Sequence, residues 1–141
     1  MRRAAGTRSA LQVWLSWIGI QRRSPEGDCA DLDAGETLIV AAHSKSIGGQ
    51  STPRTMIGAL HLTAGRAPLW GRGQIGTKQR VTLAPPLSLE GEGEKVPLMR
   101  KFRRYILVTG DGSYDVALPE ADAVLVRHAL GTVDVNAVTV E

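Results

Sequence analysis

At 141 residues, 43% of them apolar, the chain is one domain, or one small domain with extensions. It holds three Trp, two Tyr and one Phe, so burial must rest on Val, Leu, Ile and Ala; sixteen Gly and seven Pro argue against a compact helical protein. A single cysteine, Cys29, excludes an internal disulfide and a cysteine-based metal cluster, and the net charge of +3 is small but unevenly placed.

Residues 1–23 form a basic and apolar segment. Arg2, Arg3 and Arg8 precede an apolar run over 10–20, and Arg22 and Arg23 follow it. Ser9 is placed to cap a helix there. A secretory signal, a transit peptide and a docking helix all fit this pattern, although no small-x-small cleavage site follows the apolar run. In the docking reading, which we prefer, Trp14 and Trp17 stand three apart on one helical face and bury against a partner. The run is too short to span a bilayer, which takes about 20 apolar residues.

Residues 24–35 are polar and acidic and read as a linker. Five acids fall between Glu26 and Glu36, and none follows until Glu90. The span 36–89 is a Gly-rich basic region of short strands and loops. Leu38, Ile39 and Val40 predict a strand, 44–53 a Ser/Gly loop, and 55–63 a strand or a short helix that Gly58 weakens in either case. Four glycines and Pro68 around Trp70 predict an exposed or partner-ordered loop over 65–77. A short strand over 81–83 ends at Pro85-Pro86. The run Glu90-Gly91-Glu92-Gly93-Glu94 reads as a flexible acidic linker, within 90–99.

Residues 100–141 are the most regular stretch. An aromatic-led run over 105–109 is followed by Gly110-Asp111-Gly112-Ser113, a tight reversal in which the Asp111 side chain is placed to hold the turn. Tyr114, Val116 and Leu118 then alternate with Asp115 and Ala117 until Pro119 stops the strand. Val124 and Val126 predict a third strand, and Val133, Val135, Val138 and Val140 a fourth, with a bulge near Ala137. The fold class is therefore mainly β: a C-terminal antiparallel meander of four short strands, further short strands upstream and one N-terminal helix.

Chemistry-bearing patterns are sparse. His43, His61 and His128 lack metal-ligand spacing. Ser44 and Lys45, adjacent on a strand, would point to opposite faces and cannot act as a pair. Gly71-x-Gly73-x-x-Gly76 has the glycine spacing of a phosphate loop without the strand before it or a clear helix after it. These residues imply no cofactor and no catalytic or metal site. The acid-free span carries Arg66, Arg72, Lys78 and Arg80 around Trp70, a set that suits a nucleic-acid contact.

Two resemblances follow from the last quarter of the chain. Thr109-Gly110-Asp111-Gly112 with Asp115 resembles the Mg²⁺-binding motif of the haloacid dehalogenase superfamily, which would imply phosphotransfer. No Asp-x-Asp nucleophile lies upstream, and Tyr114 stands where that family has Asn. The order of strands and turns from Tyr105 through Gly110, Leu118-Pro119, Val124-x-Val126-Arg127 and Gly131 to Val140 also resembles β-modules of phage tail and head fibres. That resemblance implies a structural virion component, acting through subunit association and often trimeric. The expectation is a non-enzymatic, homo-oligomeric assembly module with Trp14, Trp17 and Trp70 as partner contacts. A nucleic-acid-binding module is the alternative, and a dehalogenase-like fragment a further one.

Overall fold

A computed structural model of the chain describes residues 2–7, 24–45, 47, 56–97 and 99–133. The expected helix over 10–20 with Trp14 and Trp17, most of the Ser/Gly loop, and the fourth strand beyond Val133 lie outside the described residues.

The described chain is mainly β, with nine strands in two sheets. The first sheet has the order β1 (Arg2–Arg3), β2 (Leu38–Ala41), β4 (Gly58–Leu62), β5 (Leu69–Arg72), β6 (Lys78–Thr82). The second has the order β3 (His43–Ser44), β9 (Gly112–Pro119), β8 (Met99–Thr109), β7 (Ser88–Val96). Except for the parallel pairing of β1 with β2, neighbouring strands are antiparallel. Two α-helices accompany them, α1 (Pro25–Asp33) and α2 (Ala123–Gly131).

One segment joins the two sheets. β2 and β3 are successive parts of a single strand interrupted at Ala42, whose N–H still bonds to Gly58 O at 2.9 Å. Along one side this strand pairs with β4 and then with Met56. Along the other it pairs first with β1 and then with β9. A strand that changes sheets makes a corner, and among the described residues no pairing joins β6 to β7. α2 lies against β7 and α1. It buries Ala123, Leu125, Val126, Ala129 and Leu130 in the core shared by Leu60 and Trp70 of one sheet and Leu107 and Val116 of the other. At about 2 kcal/mol for each large apolar side chain removed from water, this shared core is the main favourable term of the fold. The strands thus find their cover within one chain.

Four expectations change. Residues 123–131 form a helix where a strand was expected. Their buried positions recur at intervals of three and four, and Ala, Leu and Arg favour helix once Pro119 has ended β9. A run this short satisfies strand and helix periods equally until tertiary contacts choose. The meander is therefore β7–β8–β9 and begins at Ser88. Glu90 to Glu94 is no linker but the middle of β7: Gly91 and Gly93 take positive φ where the register with β8 shifts, so the glycines serve a bulge. Residues 25–33 are helical although their composition is that of a linker. Ser24 caps them by accepting the Gly27 N–H at 3.0 Å, and Pro25 occupies the first turn. The Gly-rich loop around Trp70 contains β5, and Trp70 is only 2% exposed.

Two buried carboxylates sew residues 2–7 to the body. Asp28 in α1 accepts the Ala5 N–H and, with Asp31, pairs with the Arg2 guanidinium. Asp122, at the start of α2, accepts the Gly6 N–H and the Thr7 hydroxyl. At the opposite side, Arg127 from α2 donates to the outward carbonyls of Leu89 and Gly91 on the free edge of β7.

Candidate functional site

A cavity of about 500 Å³ opens on the outer face of the second sheet. Strand alternation builds it. Along β9, Val116 and Leu118 point into the core while Asp115 and Ala117 face outward; along β8, Tyr105 and Leu107 point inward while Arg104 and Ile106 face outward. The register sets His43, Ala117 and Arg104 side by side across β3, β9 and β8. Ala117 has only a methyl group, so the floor between its neighbours is shallow. Lys45 and Ile57 form one wall, and Val96 and Met99 of the β7–β8 hairpin the other.

Rings and charges give the groove its chemistry. The His43 and Phe102 rings stack at 5.0 Å between centroids and 26° between planes. Burial pushes the His43 imidazole below its usual range, toward the neutral form. Ser44 also lines the groove, its hydroxyl donating to the Asp115 carbonyl at 2.8 Å. Lys45, Arg104 and Asp115 are exposed, and among the described residues none of their side chains has an ion-pair or hydrogen-bond partner. Arg100 and Lys101 are likewise exposed and without such partners among the described residues, whereas Arg103 meets Glu120 at 3.4 Å. Ile57 is 52% exposed. The site thus combines a ring pair, an apolar wall, two free cations and a free carboxylate. Among the described residues no three His, Cys, Asp or Glu side chains stand close enough to hold a metal ion. No helix there is long and apolar enough to cross a membrane.

The residues singled out from sequence fall elsewhere. Trp70 is a core residue whose indole N–H donates to Ala42 O at 2.8 Å, so it presents no surface to a partner. Arg72 and Lys78 are register partners across β5 and β6, with Arg80 two positions further on past a bulge. Arg66 sits in the turn before β5, at the other end of that strand, beside Ala129 and Leu130 of α2. The four cations therefore divide three and one. Asp111 is exposed in its turn, but the turn is tied by Thr109, whose Oγ1 accepts the Asp111 N–H and donates to Gly112 O, both at 3.1 Å.

The groove residues were visible in sequence only as fragments. The basic run over 99–104 and the outward Asp115 could each be read, but only the β3–β9–β8 register brings them to His43 and Lys45, some sixty positions upstream. No family model matches the chain, and no curated protein or solved structure matches it.

Proposed function

We propose that the chain is a non-enzymatic structural module that works by association, with the groove beside His43 as its contact site. The observation that carries the reading is the coexistence of exposed Ile57 with unpaired Lys45, Arg104 and Asp115 in one cavity. An apolar wall gains by being covered, and ions left free in the single chain can pair across an interface. Both signs of charge are present, which suits a polypeptide partner. A phosphate backbone would be repelled by Asp115 and by Glu94, the register partner of Arg104.

The test is the mass in solution across a concentration series by light scattering. A single chain is 15.1 kDa, and the expected result is a mass rising above that value, to a trimer if the fibre-like reading holds throughout. Ile57→Glu, at a position outside the core, should hold the protein at one chain. A wild type that stays at one chain at every concentration overturns the reading.

The Arg72–Lys78 pair with Arg80 favours a second reading, contact with a nucleic acid. Retention on a single-stranded oligonucleotide should then weaken steeply with salt, through counterion release, and be lost on changing Arg72 and Lys78 to Glu.

A further inference from the structure

We propose that β6 takes an extended acidic segment of another polypeptide as an added strand, at a contact separate from the groove beside His43. β6 is the last strand of the first sheet, and among the described residues no strand pairs with its other edge. The direction of its backbone groups follows from its pairing with β5. The Leu83 N–H donates to Pro68 O at 2.9 Å, and Val81, two positions back, is the register partner of Trp70. In an antiparallel ladder, alternate residues turn their N–H and C=O to opposite sides. Arg80 and Thr82, on either side of Val81, therefore aim two donors and two acceptors at the free edge. Among the described residues none of these groups has a partner. An edge of this kind is what an extended peptide extends by strand addition. It is also short. Gln79 takes a positive φ of 47° just before it, and just beyond it Ala84 O accepts the Gly110 N–H at 2.7 Å.

Charge selects the segment. Lys78 and Arg80 are exposed on β6, and Arg72, the register partner of Lys78, is exposed beside them. Among the described residues none of the three has an ion-pair partner, and the sequence places no acid between Glu36 and Glu90. Cations on an edge keep it from pairing with the same edge of a second copy. They favour a strand that brings carboxylates opposite them. β7 of a second copy is not that strand, because Arg127 already holds the Leu89 and Gly91 carbonyls along its edge. The same cations attract nucleic acid, but a phosphate backbone offers the edge acceptors and leaves the Arg80 and Thr82 carbonyls unmatched. Trp70, the aromatic side chain on these strands, is buried, so bases find no stacking face there.

The experiment titrates the full-length protein at low salt into a fluorescent peptide of alternating Glu and Thr. Anisotropy should rise to saturation, and a peptide with Lys in place of Glu should not bind. The acidic peptide N-methylated at every residue keeps its carboxylates but loses its N–H groups, and should bind about tenfold more weakly. Thr82→Pro removes a free-edge N–H and no bond to β5, and should weaken the unmodified peptide to a similar degree while the thermal midpoint holds. Lys78→Gln with Arg80→Gln should also weaken it. If the N-methylated peptide binds as tightly as the unmodified one, the contact is ionic alone and the inference fails. Absence of binding by the acidic peptide overturns it too. Tighter binding of a thymidine oligonucleotide, unchanged by Thr82→Pro, would assign these cations to nucleic acid instead. Self-association of the chain has no part in these readouts, so this inference can fail while the groove reading stands.

Discussion

The Asp122 carboxylate accepts the backbone N–H of Gly6 at 2.7 Å, across 116 positions of chain. Its other oxygen accepts the Thr7 hydroxyl at 2.6 Å, and that hydroxyl oxygen in turn accepts the Ala41 N–H at 2.9 Å. A Cβ at position 6 would stand 2.9 Å from the carboxyl carbon and from both its oxygens, so the approach requires glycine. Residues 2–7 are thus a part of the first sheet, held at the start of α2.

The first prediction follows from that arrangement. Asp122→Ala should lower stability by about 3 kcal/mol, since it removes two charge-assisted hydrogen bonds and leaves a part-buried N–H without its acceptor. Removing residues 1–7 should cost at least as much, because Asp28 and Asp122 would then stay buried without these partners. Urea midpoints measure both effects. A truncated chain with the wild-type midpoint would show that the segment is dispensable.

A second prediction concerns Trp70 and Gly58. A Cβ on Gly58 would lie 2.2 Å from the indole ring, which is fully packed and tied to Ala42 O. Gly58→Ala should therefore displace the ring and cost about 1–3 kcal/mol by overpacking. Trp70→Ala should cost about 3–5 kcal/mol by leaving a cavity. If Trp70 instead served a partner at the surface, both changes would leave the thermal midpoint of the isolated chain unmoved.

These residues show what a linear reading could reach. The alternation of Tyr114, Val116 and Leu118 against Asp115, and the turn at Gly110, are local properties, and they appear as read. So does the strand at Leu38 to Val40, where β-branched residues leave little choice. The Val124–Arg127 segment was misread because a run of a few apolar residues carries no decisive period, and the cover supplied by both sheets selects helix. Glu90 to Glu94 looked like a linker because glycine has poor strand propensity, yet eleven residues of β8 supply the template that holds it. The clamp of Asp28 and Asp122 on residues 2–7 has no local signature, since its partners are far apart in sequence. The groove was out of reach for the same reason: it exists only once β3 is paired with β9.

The third prediction is a pH dependence from His43. Burial holds its pKa below the unfolded value of about 6.5. Once pH falls below that value, the unfolded chain binds a proton that the folded chain resists, so stability drops as pH drops. The contribution is fully present above about pH 7 and is lost on the acid side, at no more than about 1.4 kcal/mol per pH unit for one proton. His43→Phe keeps a ring against Phe102 and removes the titration. Urea midpoints at pH 7.5, 6.5 and 5.5 should show a steeper acid decline for the wild type than for the variant. Parallel declines would mean that the ring is not buried in solution.

The last prediction concerns the edge of β7. Arg127 donates from Nε to Leu89 O at 3.2 Å and from a terminal nitrogen to Gly91 O at 2.8 Å, and it lies 5.4 Å from the centroid of the Tyr105 ring. It closes a free strand edge that would otherwise invite an added strand. Arg127→Met keeps the reach and the apolar cover but removes every donor. The loss of stability should be small, about 1 kcal/mol, because the freed carbonyls can be hydrated at the edge. Aggregation should change more. Glu90, Glu92 and Glu94 still oppose the pairing of two β7 edges, since like charges across a ladder repel, but salt screens that repulsion. The variant should therefore stay clear at low ionic strength and develop turbidity as salt is added, while the wild type remains clear. A salt series of light scattering on both proteins follows this edge pairing. Turbidity in Arg127→Met that was insensitive to salt would show that the acids of β7 do not guard this edge.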